Sequence, residues 1–250
     1  MIYFVGAGPG DVELITVKGQ RVLQSADLVI YAGSLVNTEL LKLCKNEAIV
    51  LDSAKMTLEE VVDQMTKMEK EKTIVRLHTG DPSIYGAIRE QMDLLDEKGF
   101  EYEVVPGVSS FCGAAAALKK EYTLPGVSQT VILTRMEGRT PMPPKEELSL
   151  LASHEATMII FLSVSLAEEV QESLIQGGYK NETPVAVVYK ATWPEEKIYK
   201  GHLHELAKII EDNHITKTAL IVVGDFLGDT YERSKLYDPS FSHMFREATK

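Results

Sequence analysis

Cysteine is scarce in this chain: Cys44 and Cys112 are the only two among 250 residues. That excludes a disulfide scaffold, and no metal-binding spacing surrounds either thiol. Both lie in apolar stretches with helical spacing and read as buried free thiols. Long hydrophobic runs are missing too. None approaches the roughly 18 to 20 apolar residues of a membrane span, and no basic segment precedes the first apolar run. The expectation is a cytoplasmic protein with no membrane contact. Positive charge is in deficit, with 26 Lys and Arg against 37 Asp and Glu, a formal net charge of −11. Nucleic acids and acidic membrane surfaces need a basic face, so neither is an expected partner. A small anionic ligand stays open, since a few local arginines suffice. His154, His202, His204, His214 and His243 are scattered, so no protein-bound metal is expected. No Ser-His-Asp or Cys-His arrangement stands out either.

What is present is a regular alternation. In the first half, apolar runs at 2–5, 28–31, 49–51, 73–77 and 102–105 read as short buried strands. Between them, residues 16–25, 58–71, 84–98 and 110–118 have helical spacing, and Gly99 is a natural stop for the third. Strand–helix alternation of this kind predicts an open, mostly parallel α/β sheet. The periodicity lapses around 119–128, at Leu124-Pro125-Gly126, which reads as a linker. The pattern then restarts, with strands at 130–134, 158–162, 184–189, 198–199 and 219–223 and helices at 167–176 and 203–212. The organisation is therefore α/β, with an N-terminal domain over 1–120 and a C-terminal domain over 128–250. The tail after Gly228 is polar and aromatic without periodicity.

In open α/β sheets, ligands bind beyond the carboxyl ends of the strands. Three loops fall there: 6–11, 79–85 and 106–110. The first, Gly6-Ala7-Gly8-Pro9-Gly10-Asp11, invites a dinucleotide fingerprint, in which glycines bring the backbone to a pyrophosphate at a helix N-terminus. Pro9 removes a backbone donor, however, and the helix begins only near Thr16. The second strand also ends in Tyr31-Ala32-Gly33-Ser34, without the acidic residue that would take a ribose. The dinucleotide reading loses. In the second loop, Gly80 permits close backbone approach and Asp81 can accept from ligand hydroxyl or amino groups. Pro82 suits a first helical position, so Asp81 is equally an N-cap. In the third, Ser109 and Ser110 offer hydroxyls ahead of a helix of small residues, where tight helix–sheet packing is the plain alternative. Arg76 and His78 sit on or at the end of the fourth strand. The segment Arg135-Met136-Glu137-Gly138-Arg139-Thr140-Pro141 reads as a solvated loop, or as a source of guanidinium forks for carboxylates.

Taken in order, these segments resemble the tetrapyrrole methyltransferase family. The likeness runs from Val5-Gly6-Ala7-Gly8-Pro9-Gly10-Asp11 and Ala26-Asp27-Leu28-Val29-Ile30-Tyr31 through Gly80-Asp81-Pro82 and Val105-Pro106-Gly107-Val108-Ser109-Ser110. It continues to Pro184-Val185-Ala186-Val187-Val188 and Val222-Val223-Gly224. Tyr31-Ala32-Gly33-Ser34, Leu77-His78-Thr79-Gly80 and Glu137-Gly138-Arg139-Thr140-Pro141 are similar to the branch that methylates ring carbon 11 in cobalamin biosynthesis. Ala32 stands where other members carry an acid, and it has no assigned role. The resemblance implies a homodimer of two-domain subunits, with S-adenosylmethionine in the cleft between domains and S-adenosylhomocysteine as product. It implies cofactor contacts at Pro9, Gly80, Asp81, Ile84, Ser109, Ser110, Leu162, Ala191 and Ala219, and a tetrapyrrole as the second substrate. In that reaction a ring carbon displaces the sulfonium methyl group, and positioning supplies much of the acceleration. Should a proton have to leave the ring, Asp81, Tyr85 and Glu137 are the candidate acceptors. Arg89, Arg135 and Arg139 are the expected partners of peripheral carboxylates. Whether the substrate carries cobalt stays open.

Overall fold

The computed structural model describes residues 1–249. The chain forms two units, Met1–Ala114 with Lys190–Glu196, and Ala115–Tyr189 with Lys197–Lys250. The change of unit falls inside a helix and not in the turn-rich stretch 119–128. Seven residues of the second half also pack with the first unit.

The first unit holds β1 (Ile2–Gly6), α1 (Val17–Ser25), β2 (Leu28–Tyr31), β3 (Ile49–Asp52), α2 (Leu58–Thr66), β4 (Ile74–His78), α3 (Arg89–Glu97), β5 (Tyr102–Val105) and the start of α4 (Ser110–Leu118). Its five strands lie in the order β3-β2-β4-β1-β5, and every pairing is parallel. The period of two sorts the side chains onto two faces. Val5, Val29, Val75, Leu77 and Val105 pack with Val22 and Leu23 of α1. Ile2, Phe4, Leu28, Ile30 and Ile74 pack with Val61, Val62 and Met65 of α2 and Leu95 of α3. Burial on both faces explains why β1, β2 and β4 read as unbroken apolar runs, while the edge strands β3 and β5 leave Ile49, Val50 and Val104 exposed.

The expected helix over 84–98 begins only at Arg89. Tyr85 and Ala87 have φ of +56° and +49°, a left-handed backbone that no α-helix continues through. α2 likewise ends at Thr66, before a run of charged residues, and a 3₁₀ helix at Thr38–Leu43 had no clear signal. The cysteines differ from expectation as well. Cys44 is half-buried after that 3₁₀ helix, and Cys112 is exposed on α4.

At the opposite end of the sheet from the three loops, Asp27 ties two strands together. Its carboxylate accepts from Thr73 N–H at 2.8 Å and pairs with Lys45 at 2.7 Å. The Lys45 hydrogen bond, then the Thr73 amide, lower its pKa to about 2. A carboxyl whose folded pKa lies below its unfolded value stabilises above the unfolded pKa, near 4, and loses that contribution as pH falls through about 2. Asp27→Asn should therefore cost about 1 kcal/mol in urea unfolding at pH 7. The gap from the unaltered protein should close as pH falls from 4 to 2.

The second unit holds β6 (Val131–Arg135), α5 (Leu148–Ala152), β7 (Thr157–Phe161), α6 (Ala167–Gly177), β8 (Pro184–Tyr189), β9 (Lys197–His202), α7 (Leu206–Asp212) and β10 (Ala219–Val223). The strand order is β6-β7-β10-β8-β9. Only β6 and β7 are parallel, while β10 runs antiparallel to both its neighbours and β8 to β9. The second sheet is therefore mixed where the first is wholly parallel, as expected for the first half, and β10 is one of its central strands. Met158, Ile160, Val185, Val187, Ile221 and Val223 pack with Leu148, Val170, Leu174, Leu206 and Ile210 of the three helices.

Candidate active site

The strand order of the first sheet fixes where a ligand belongs. From β1 the chain leaves through α1 toward β2, on one face and one side. From β4 it leaves through α3 toward β5, on the other face and the other side. β1 and β4 are neighbours whose onward connections pass to opposite faces, the arrangement that makes a crevice at the carboxyl ends the expected ligand site. Residues 7–11 and 79–88 lie at that end of the sheet.

The loops meet there through bare backbone. Gly8 and Gly80 exchange hydrogen bonds, Gly80 N–H to Gly8 O at 2.8 Å and the reverse at 3.2 Å, and Ala7 N–H donates to His78 O at 2.7 Å. Both bridging glycines have positive φ, +80° and +60°, which other residues adopt only under strain. Gly6, Gly80 and Gly107 form a mutual contact. A Cβ on Gly6 would lie 2.6 Å from Gly80 O, and one on Gly107 would lie 2.7 Å from Gly6 Cα while colliding with Gly80 O. Ser109 and Ser110 join them, each with a backbone atom 3.5 Å from where a Gly80 side chain would begin.

Asp81 fastens the second loop to the third. One carboxylate oxygen accepts from Gly107 N–H at 2.9 Å, and the other accepts from Ser83 N–H at 2.8 Å and from the Ser83 hydroxyl. Burial pushes this carboxyl up, but the Ser83 and Gly107 hydrogen bonds together outweigh it and leave the pKa below the ordinary value. No helix starts at Pro82, so Asp81 is not an N-cap. It is an ionised staple between two loops.

The charge carried by the three loops themselves has one sign. The three loops carry two acids, Asp11 and Asp81, and no Lys or Arg. Beneath them His78 is buried with Nε2 unpartnered among the described residues. Burial, then the charge of Arg76, lowers its pKa to about 3, so it is neutral. Arg76 itself is buried on the α3 side of the sheet, donating to Gln91 Oε1 at 3.2 Å and Ile30 O at 3.1 Å. Pyrophosphate would find here two carboxylates, no basic side chain and a proline at the turn. A cation or a neutral sugar edge suits the donor set.

The structure brings Pro9, Gly80, Asp81, Ser109 and Ser110 to one junction. Ile84 and Tyr85 follow Asp81 in the same irregular segment, with Tyr85 exposed. Arg89 opens α3 and pairs with Asp93 in an exposed i,i+4 bridge at 2.7 Å. Leu162, Ala219, Arg135, Glu137 and Arg139 belong to the second unit. There β7 and β10 are antiparallel, Ile160 opposite Ile221, so two residues on, Leu162 faces Ala219 across the sheet end. Leu162 is exposed and held at φ +54°. Arg135 is not an open fork. Its guanidinium donates to the Met136, Thr140 and Pro141 carbonyls at 3.3, 3.2 and 2.8 Å and shapes its own loop. Glu137 accepts from Met142 N–H at 3.4 Å, and Arg139 is exposed.

Four residues escaped the sequence reading. Ser163 Oγ accepts from Met136 N–H at 2.8 Å and donates to Phe161 O at 2.6 Å, anchoring the 136–144 loop to the end of β7. Asn37, Thr192 and Trp193 bind the backbone of residues 9–11. Ala191, named for the cofactor, is buried in the same seven-residue segment as the last two. The one available signal was Trp193, the single tryptophan, set before a proline in the β8–β9 connection.

Among the described residues no group of three His, Cys, Asp or Glu is placed to hold a metal ion, and no helix is long and apolar enough to cross a membrane. The sequence profile of the tetrapyrrole (corrin/porphyrin) methylases matches residues 1–207. Cobalt-precorrin-4 C(11)-methyltransferase of Methanocaldococcus jannaschii is 55% identical, across 100% of this chain and 97% of its own. Precorrin-4 C(11)-methyltransferase of Mycobacterium tuberculosis is 46% identical, across 94% and 95%. The X-ray structure of a cobalamin biosynthetic enzyme, cobalt precorrin-4 methyltransferase, superposes with a TM-score of 0.89 at 50% identity, covering 91% of this chain and 96% of that one. A Thermus thermophilus uroporphyrin-III C-methyl transferase, solved with S-adenosyl homocysteine, gives 0.74 at 25% identity, covering 90% and 92%.

Proposed function

Because this chain belongs to the tetrapyrrole (corrin/porphyrin) methylase family, we propose that it methylates carbon 11 of precorrin-4 in cobalamin biosynthesis, taking the cobalt-carrying form. The carrying observation is likeness over the whole chain, 55% and 50%, to two cobalt-precorrin-4 C(11)-methyltransferases. The precorrin-4 C(11)-methyltransferase of Mycobacterium tuberculosis reaches 46%.

The geometry of the first unit is consistent with S-adenosylmethionine as donor. When bound, that cofactor supplies an electrophilic methyl group on a positively charged sulfur. The loops 6–11, 79–85 and 106–110 carry two carboxylates and no Lys or Arg, a set that suits such a cation. We assign Pro9, Gly80, Asp81, Ile84, Ser109, Ser110 and Ala191 of the first unit to its binding. Gly80 and Gly107 keep the floor of the crevice free of side chains. Asp81 fixes the loops in register while remaining ionised, and neutral His78 adds no charge that would repel the sulfonium. Work of this kind is positioning, which alone can supply many orders of magnitude. Arg89 and Arg139 are the assigned partners for the peripheral carboxylates of the tetrapyrrole. The same reading takes the working enzyme to be a homodimer.

The test is incubation of the purified protein with S-adenosylmethionine and precorrin-4, with and without cobalt. Product is read by mass and by the position of the new carbon in NMR. The expected product is one methyl group heavier and labelled at carbon 11, with faster turnover of the cobalt form. Methylation at another ring carbon, or turnover only of a different precorrin, would overturn the assignment.

A further inference from the structure

The glycine turn after β1 is gripped by side chains that lie outside all three strand-end loops. Three successive backbone groups are each held by one side chain. The Pro9 carbonyl accepts from Trp193 Nε1 at 2.9 Å, the Gly10 carbonyl accepts from Asn37 Nδ2 at 2.8 Å, and Asp11 N–H donates to Thr192 Oγ1 at 3.0 Å. Two of the three come from Lys190–Glu196, the connection between β8 and β9, which packs with the first unit.

Packing agrees with the hydrogen bonds. A Cβ on Gly10 would lie 2.7 Å from Cγ of the Trp193 indole, so only glycine lets the ring reach the chain. A Cβ on Gly113 of α4 would lie 3.0 Å from Thr192 Cγ2 and 3.2 Å from the Pro9 ring. The segment is also braced internally. Thr192 N–H donates to the Glu196 carboxylate at 2.6 Å, Trp193 N–H to Lys190 O and Glu196 N–H to Trp193 O, both at 3.0 Å. The Lys190 ammonium stands 5.2 Å from the indole centroid. Lys190 and Thr192 hold φ of +47° and +70°. Left-handed backbone at two non-glycine residues, one of them β-branched, persists only where surrounding contacts over-determine it.

We propose that residues 190–196 are a strap that sets the binding shape of residues 9–11, with Trp193 and Thr192 as positioning residues for the cofactor. The inference rests on reading that turn as one wall of the S-adenosylmethionine site. Without the strap, the turn around Gly10, between the Gly8 bridge to Gly80 and the helix cap at Thr16, must be ordered by the ligand itself. That cost appears as weaker binding and not as slower chemistry at saturation.

The experiment compares the full-length protein with Trp193→Phe, Trp193→Ala, Thr192→Ser and Thr192→Val. Readouts are calorimetry with S-adenosylhomocysteine, steady-state kinetics, and amide hydrogen exchange of residues 8–12. Trp193→Phe keeps the ring but loses the donor, and should weaken binding about threefold to tenfold. Trp193→Ala should weaken it by at least about tenfold. Thr192→Ser should match the unaltered protein, whereas Thr192→Val should weaken binding and speed exchange of the Asp11 amide. In Trp193→Phe, KM for S-adenosylmethionine should rise while kcat and KM for the tetrapyrrole hold. Full affinity and unchanged exchange in Trp193→Phe and Thr192→Val would overturn the strap alone, and neither variant removes enough packing to unfold the protein. Absence of binding by the unaltered protein would overturn the reading of the site, and the proposal with it.

Discussion

Gly107→Ala should lose about a hundredfold in kcat/KM, because a methyl group there must part three loops by an ångström-scale movement. The added Cβ meets backbone on every near side: Gly80 O in collision, Gly6 Cα at 2.7 Å and the Gly6 carbonyl carbon at 3.0 Å. None of these atoms ends a flexible side chain that could swing away. Relief requires the ends of β1, β4 and β5 to separate, which also strains the Gly8–Gly80 bridge and the bond from Gly107 N–H to Asp81. Overpacking of this kind costs about 1–3 kcal/mol of stability, so thermal melts should fall alongside calorimetric affinity for S-adenosylhomocysteine. Gly99→Ala separates the two effects. Gly99 has φ +69° with open space around it, and alanine there should cost about 1–2 kcal/mol of backbone strain while leaving affinity untouched. A Gly107→Ala protein with full affinity would show that the three loops are not the cofactor's seat.

The sequence made the first sheet legible because its central strands, β1, β2 and β4, are buried on both faces. Runs such as Leu28-Val29-Ile30 and Ile74-Val75 have few other places to go. The same property hid strand direction in the second unit. Val185-Ala186-Val187-Val188 and Leu220-Ile221-Val222-Val223 are as apolar as any parallel strand, and nothing in a buried run reports which way its neighbour points. The segment after Pro82 misled differently. Ile84 and Ile88 have helical spacing, yet Gly86 folds so tightly that its Cβ would stand 2.9 Å from the Pro82 carbonyl carbon, and the chain turns left-handed on either side. A tight local turn, with left-handed residues on both sides of Gly86, overrode the periodicity there. The glycines and Asp81 could be named from sequence because loop position and residue type both pointed to them. Trp193 could not, since its partner is a backbone carbonyl 184 positions away, and a bond to backbone leaves no pattern in the partner's side chain. Arg135 shows the converse: a residue type suited to carboxylates, placed where its own loop carbonyls take its donors.

Asp81→Asn tests what the acid at the junction does. As a general base, Asp81 would govern one limb of the pH–rate profile, and its replacement would abolish turnover while leaving the cofactor bound. Its surroundings argue for a different role. Burial raises its pKa, but hydrogen bonds from Ser83 and Gly107 lower it further, so the net shift is downward. A carboxylate held below its ordinary pKa is a poorer base than a free one. The sign for stability follows: its contribution is complete above the unfolded pKa and is lost as pH falls through the lowered folded value. Asparagine keeps one acceptor and turns an NH₂ group toward either Gly107 N–H or Ser83 N–H, setting donor against donor. Loss of a hydrogen bond to a charged group costs about 1.5–3 kcal/mol, or roughly tenfold to a hundredfold. That loss should fall on S-adenosylhomocysteine affinity and kcat/KM together, with the pH–rate profile unchanged in shape between pH 6 and 9, roughly the range in which a working base would titrate. A variant that binds the product normally, turns over nothing and has lost a limb of the profile would make Asp81 the proton acceptor and end its reading as a staple.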